Sequence, residues 1–190
     1  PYRRQRQMCI RDRVEADTNI ASGESLIRQL LYGREFFLRE FGIDSDTYWL
    51  PDCFGFTWAL PQIIKKSGMK NFITAKLCAN DTNAFLHSMF KWRSHSGDDV
   101  TAYFTRVSYQ GEYDVGRVFE CRNGNRQSSI ADISFGMFGY GDGGSGSTTD
   151  MLERAEALKN IPGVPETVNS SAHEFFDEIG NCLLYTSPSP

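Results

Sequence analysis

From Ser22 to Phe104 the chain changes hydrophobic period repeatedly, from helical spacing to strand alternation and back, and few architectures accept that order. Ser22–Phe41, SGESLIRQLLYGREFFLREF, sets Leu26, Leu30, Leu31, Phe37 and Phe41 at helical spacing, with Gly42 as the C-cap. Thr47–Leu50 reads as a short apolar strand, and Trp58–Ser67 as a second helix closed by Gly68. Asn71–Lys76, NFITAK, alternates as a strand does, and Met89–Trp92 and Val100–Phe104 are two more. Gln110–Ser129 is polar and glycine-bearing and reads as loop. Ser147-Thr148-Thr149-Asp150 forms a capping box before the helix MLERAEALKNI, which Pro162 and Gly163 end, and Ser171–Glu174 caps one more helix. Helices alternating with strands predict an α/β fold with a mostly parallel sheet covered by helices.

The ends break this pattern. Back-translated, RRQRQMCIRDR (Arg3–Arg13) and CLLYTSPSP (Cys182–Pro190) match transposase-type sequencing adapters in the expected orientations. Residues 1–13 and 182–190 are therefore expected to be adapter-derived tails, and 14–181 the native segment of a longer gene. The alternative for the start is a basic, nucleic-acid-binding arm. The chain holds 20 Lys+Arg and 24 Asp+Glu. Without Arg3, Arg4, Arg6, Arg11, Arg13 and Asp12, 15 basic residues face 23 acidic ones, a net charge of −8. That balance argues against nucleic acid and anionic membranes as partners. No apolar run approaches a membrane span. The remaining cysteines, Cys53, Cys78 and Cys121, form no CxxC pair and no even framework, which points to reduced thiols and a cytoplasmic setting.

Within YWLPDCFGFTWALPQI (48–63), one carboxylate, Asp52, stands among Tyr48, Trp49, Leu50, Phe54 and Phe56. An unpaired charge among such neighbours costs several kcal/mol. Asp52 is thus either a turn residue facing water or a site residue with a partner such as a metal. In α/β sheets functional residues lie just past the carboxyl ends of strands, where Asp52 falls. A second stretch, FGYGDGGSGSTTDMLERA (138–155), holds Gly139-x-Gly141-x-x-Gly144, with Glu166 further on. As a dinucleotide fingerprint it is poor, because Asp142 would meet the pyrophosphate and the helix starts too late. A flexible loop presenting Asp142 to a pocket fits better, and a plain glycine-rich linker is the bland alternative. Two carboxylates at strand-end loops are what acid–base hydrolysis of a glycoside requires.

The stretches ADTNIASGESLIRQLLYGREFF, DSDTYWLPDCFGFTWALPQIIKKSGMKNFITAKL, NDTNAFLHSMFKW, FGYGDGGSGSTTDMLERA and GVPETVNSSAHEFF resemble glycoside hydrolase family 38, the zinc-dependent retaining α-mannosidases of cytosolic and bacterial type. The resemblance implies that 14–181 is a partial catalytic domain, part of a parallel-stranded α/β-barrel-like fold acting on mannose-containing oligosaccharides. In that family the aspartate of the PDxFG motif is both nucleophile and zinc ligand, which corresponds to Asp52 here. The family's upstream His-x-Asp pair and downstream ligand histidine are not in this sequence, and His87, His95 and His173 do not occupy those motif positions. The glycine loop reads GDGGSGST where the family pattern is GDGGGGPT. Asp142 is the acid/base candidate, with Phe138 and Tyr140 as its less polar surroundings. Trp49, Phe54 and Trp58 are candidates for sugar stacking, with core packing the alternative for at least two of them, and His87 for lining the sugar pocket or for a partly buried structural place. A homo-oligomeric parent is compatible with these residues. The competing readings are a catalytically inactive carbohydrate-binding relative and a nicotinamide-dependent oxidoreductase using the glycine loop.

Overall fold

The computed structural model describes residues 14–78, 81–141 and 146–185. The chain divides into two compact units, 1–104 and 105–190.

In the first unit, helix α1 (Gly23–Phe41) starts at Ser22, whose side chain accepts from the Ser25 N–H. It stops at Gly42, where φ of 67° is a conformation that a β-carbon disfavours. Leu26, Leu30, Gly33 and Phe37 face inward. Leu31, expected on the same face, is exposed because it lies one residue off the stripe that repeats every three or four residues, and Phe41, four residues after Phe37, is exposed at the last position of the helix, stacked on the Phe37 ring. Strand β1 (Thr47–Trp49) leads into the Asp52 loop. Helix α2 (Leu60–Lys66), shorter than expected, returns the chain to β2 (Asn71–Thr74), which is followed by a 3-10 turn, Lys76–Cys78. β3 (Met89–Arg93) and β4 (Asp99–Phe104) form a hairpin around Gly97.

The sheet order is β1-β2-β4-β3. β1 and β4 both run parallel to β2, with Trp49 opposite Ile73 and Thr101 opposite Asn71. β3 pairs antiparallel to β4. The sheet is thus mixed where a mostly parallel one was expected, because a tight hairpin can join only antiparallel strands. All four residues of β2 are buried, as befits a strand covered on both faces. Leu26 and Leu30 from α1, Leu60, Ile63 and Ile64 from α2, and Tyr48, Phe72, Val100 and Ala102 from the sheet make one continuous core.

In the second unit, helix α3 (Val115–Gly124) occupies the stretch expected to be loop. Asp114 caps it by accepting from the Arg117 N–H, and only Val118 is buried, so its apolar periodicity is nearly silent. Helix α4 (Thr149–Leu158) is capped by Thr148, one residue later than the expected box, because the Ser147 hydroxyl donates to the Phe138 carbonyl instead. Helix α5 (Ala172–Tyr185) has a reciprocal box: the Glu174 N–H donates to Ser171 Oγ and the Ser171 N–H to Glu174 Oε2. Met151, Ala155, Leu158, Phe175, Phe176 and Ile179 are buried in this unit.

Candidate active site

β1 and β2 are parallel neighbours, so their carboxyl ends arrive at the same rim. β1 ends at Trp49 and β2 at Thr74. Two bonds continue the pairing past both strands: Leu50 N–H to the Ile73 carbonyl at 3.0 Å, and Ala75 N–H to the Pro51 carbonyl at 3.2 Å. Asp52 and Lys76 are the residues thereby delivered to the rim. The Lys76 ammonium lies 2.9 Å from Asp52 Oδ1 and 4.9 Å from the centre of the Phe54 ring. One cation thus joins two of the residues singled out in the sequence.

A segment preceding α1 closes the loop from behind. The Asp52 N–H donates to Glu15 Oε1 at 2.5 Å. The Cys53 thiol donates to the Ala16 carbonyl at 3.2 Å. Thr18 Oγ1 donates to the Gly55 carbonyl at 3.3 Å and accepts from the Thr57 N–H at 3.2 Å. Gly55 has φ of 125°, and a β-carbon there would lie 2.8 Å from Asn19 Nδ2. Residues 15–19 and 52–57 are therefore stitched along their length, in a geometry that requires glycine at 55.

The charges of this rim act on one another. Burial pushes the Glu15 carboxyl above its ordinary value, the Asp52 N–H pulls it back, the Asp52 carboxylate raises it and Lys76 lowers it. The Cys53 thiol is pushed up to about 12, first by burial and then by Glu15, Asp17 and Asp52, so it stays protonated at neutral pH. Glu15 and Lys76 were not singled out from the sequence. Lys76 had a legible signal, since it is the last residue of the stretch Asn71–Lys76 that reads as a strand. Glu15 had none, because it lies outside regular structure.

The remaining candidates lie as follows. Trp49, the last residue of β1, is half-buried, and Phe54 is 72% exposed. Trp58 is exposed and donates through Nε1 to the Arg93 carbonyl at 3.3 Å, with its ring 5.8 Å from that of His95. Arg93 pairs with Asp99 at the start of β4, so Trp58 is docked at the end of the sheet opposite Asp52. His87 is exposed, neither half-buried nor structural; it precedes β3, whose antiparallel course brings it to the rim where β4 ends. His95 and His173 are exposed, with His173 Nε2 3.3 Å from Asp177. Asp142 lies outside the described residues. Beside its loop, Gly139 (φ 135°) exchanges two backbone bonds with Gly111, at 2.8 and 3.0 Å, and Tyr140 is exposed. Residues 131–138 form no strand, so the strand that a dinucleotide fingerprint requires before its first glycine is missing among the described residues. Among the described residues no group of three or more His, Cys, Asp or Glu is placed to hold a metal ion.

Comparison with known proteins agrees with this architecture. Residues 12–186 match the family described as "Glycosyl hydrolases family 38 N-terminal domain". The chain is 40% identical over 167 residues to alpha-mannosidase G of Dictyostelium discoideum, a match covering 87% of this chain and 15% of the relative. It is 40% identical over 167 residues to human alpha-mannosidase 2C1, covering 16% of that protein. With the alpha-mannosidase of Saccharomyces cerevisiae the identity is 35% over 173 residues. A solved alpha-mannosidase from Enterococcus faecalis V583 shares the fold, with a TM-score of 0.65 at 13% identity over 87% of this chain and 19% of that structure. The chain thus spans about one-sixth of the length of its curated relatives, 15–16%. With the family match running across nearly all of its length, the chain belongs to glycosyl hydrolase family 38.

Proposed function

We propose that this segment is part of the catalytic domain of a longer, zinc-dependent, retaining α-mannosidase that hydrolyses terminal α-mannosides of glycans or oligosaccharides, with Asp52 as nucleophile. The observation carrying the reading is the rim of the sheet: a carboxylate just past a parallel strand, held through both its backbone and its side chain, in a chain of family 38. Asp52 attacks the anomeric carbon while Asp142, as acid, gives its proton to the departing glycosidic oxygen. Water then displaces the sugar from Asp52, and Asp142 takes the proton back. Two inversions retain the configuration. Lys76 favours the ionised Asp52 that attack requires. Phe54, with most of its ring exposed beside Asp52, is the stacking surface for a sugar.

Asp52 would also supply one carboxylate to the zinc, whose other ligands would come from outside this segment. The chemistry a dication would supply there is stabilisation of the carboxylate and orientation of sugar hydroxyls. A reducing, cytoplasmic setting belongs to the same proposal. Among the described residues no helix is long and apolar enough to cross a membrane.

The test is made on the full-length protein carrying this segment. Asp52→Asn is expected to remove nearly all hydrolysis of a nitrophenyl α-mannoside while leaving the melting temperature close to that of the wild type. A 2-deoxy-2-fluoro-mannosyl fluoride should leave its sugar on the peptide containing Asp52, detected by mass spectrometry. Substantial turnover by the variant, or a label on another peptide, overturns the assignment. Mannoside binding without turnover by the wild type would favour the inactive carbohydrate-binding reading.

A further inference from the structure

We propose that Glu15 and Lys76 are a pair of positioning residues that hold Asp52 from its two ends, the first at the backbone and the second at the carboxylate. The inference rests on the role proposed for Asp52. Glu15 Oε1 accepts the Asp52 N–H at 2.5 Å, and Lys76 Nζ lies 2.9 Å from Asp52 Oδ1. Neither residue belongs to the PDCFG turn. Glu15 precedes α1 and Lys76 follows β2, so the clamp exists only when both are folded against β1. Its parts are themselves anchored. Cys53 and Gly55 bind the segment containing Glu15, through Ala16 and Thr18, at 3.2 and 3.3 Å. Lys76 is carried on the Ala75–Pro51 bond and lies over the Phe54 ring. A nucleophile must approach the anomeric carbon in line, and a displacement of about 1 Å can cost 100-fold in rate. With χ1 and χ2 free, an aspartate past a strand end would spread over several rotamers. The N–H contact fixes the turn from which the side chain departs, and the ammonium selects the rotamer. By binding the face of Phe54 as well, Lys76 sets the spacing between nucleophile and stacking ring.

The test uses the full-length protein and four variants: Glu15→Ala, Glu15→Gln, Lys76→Met and Lys76→Arg. Glu15→Gln keeps an oxygen acceptor and Lys76→Arg keeps a cation, whereas the other two remove the contact. Circular dichroism and melting establish that each variant is folded. On a nitrophenyl α-mannoside, Glu15→Ala and Lys76→Met are expected to lower kcat about 10- to 100-fold with KM nearly unchanged, and the conservative variants to recover most of the loss. The double variant Glu15→Ala/Lys76→Met should fall by less than the product of the single losses, since both act on one residue. Hydrogen exchange of the peptide spanning Pro51–Phe56 should accelerate in Glu15→Ala and not in Glu15→Gln. Equal losses in the conservative and disruptive variants, or losses carried by KM, overturn the proposal. If the wild type hydrolyses no α-mannoside, the proposed function fails, and exchange still decides the clamp: unchanged protection in Glu15→Ala overturns it.

Discussion

Gly55 shows how tightly the Asp52 loop is specified. Its φ of 125° is costly for any residue with a β-carbon, and Asn19 occupies the space that carbon would take. Gly55→Ala is expected to destabilise the fold by about 1–3 kcal/mol and to lower kcat, read by denaturant titration and by steady-state kinetics. Cys53 belongs to the same contact. Its thiol is raised to about 12, against 9.0 for an unperturbed one. Between these values the unfolded chain has lost the proton that the folded one retains, so Cys53 makes stability fall as pH rises through that window. At pH 8 iodoacetamide should modify Cys53 far more slowly in the native protein than in urea, followed by peptide mass spectrometry; equal rates would contradict the buried, protonated thiol. The Asp142 assignment makes a leaving-group prediction. Asp142→Ala should cost far more on natural mannosides than on activated aryl mannosides, because an aryl oxide departs with little protonation.

Among the elements, α5 depends on a reciprocal cap. The Glu174 carboxyl is held below its ordinary value, first by the Ser171 N–H and then by the Ser171 hydroxyl. A lowered carboxyl contributes stability that is present above the unfolded value of 4.5 and lost as pH falls through the folded one. Ser171→Ala should cost about 1 kcal/mol. Glu174→Gln should be less stable than the wild type at pH 6 and indistinguishable from it by about pH 3, in thermal melts followed by circular dichroism. Because Glu174 is mostly exposed, its effect should be small. α1 shows another side of element formation. Its inward face is filled by Leu26, Leu30 and Phe37, yet Leu31, Tyr32, Phe36, Leu38 and Phe41 are each 45–53% exposed. An apolar stripe that a two-sided helix carries is legible in sequence as periodicity, but which half of it the core receives is decided by β1 and α2.

The chain has two units, the first with one continuous apolar core and the second with buried apolar residues such as Met151, Leu158 and Phe175. The ion pairs are mostly exposed, among them Arg28–Glu24, Arg39–Glu40 and Arg122–Asp132, and such pairs contribute little each. Stability therefore rests on apolar packing. On the proposed reading, activity is expected to need residues besides these 190. A lone carboxylate cannot make the four-ligand shell that zinc prefers, and Asp52 is the one family zinc ligand proposed for this segment. The chain by itself is expected to bind zinc weakly, to hydrolyse no α-mannoside and, with the open face of α1, to self-associate. Calorimetry with zinc, an aryl mannoside assay and light scattering check these outcomes. Tight stoichiometric zinc with turnover would place the metal site among residues other than those proposed.

The sequence by itself determined the α/β class, α1 with its Ser22 and Gly42 ends, the strands at Thr47, Asn71, Met89 and Val100, and the position of Asp52 past a strand end. These follow from local physics: hydrophobic period, caps, and the alternation of elements. It did not determine α3, whose single buried residue, Val118, leaves no stripe to read, nor the antiparallel β3, since strand direction is a property of pairing and not of a segment. It also placed Trp58 with the sugar-stacking candidates, whereas the fold carries it to Arg93 at the other end of the sheet. Above all, only the tertiary structure brought Glu15 and Lys76 to Asp52, across 37 and 24 residues of chain. Contacts of that range carry no periodic signal, because they are made by the ends of elements meeting at a rim and not by the elements' own faces.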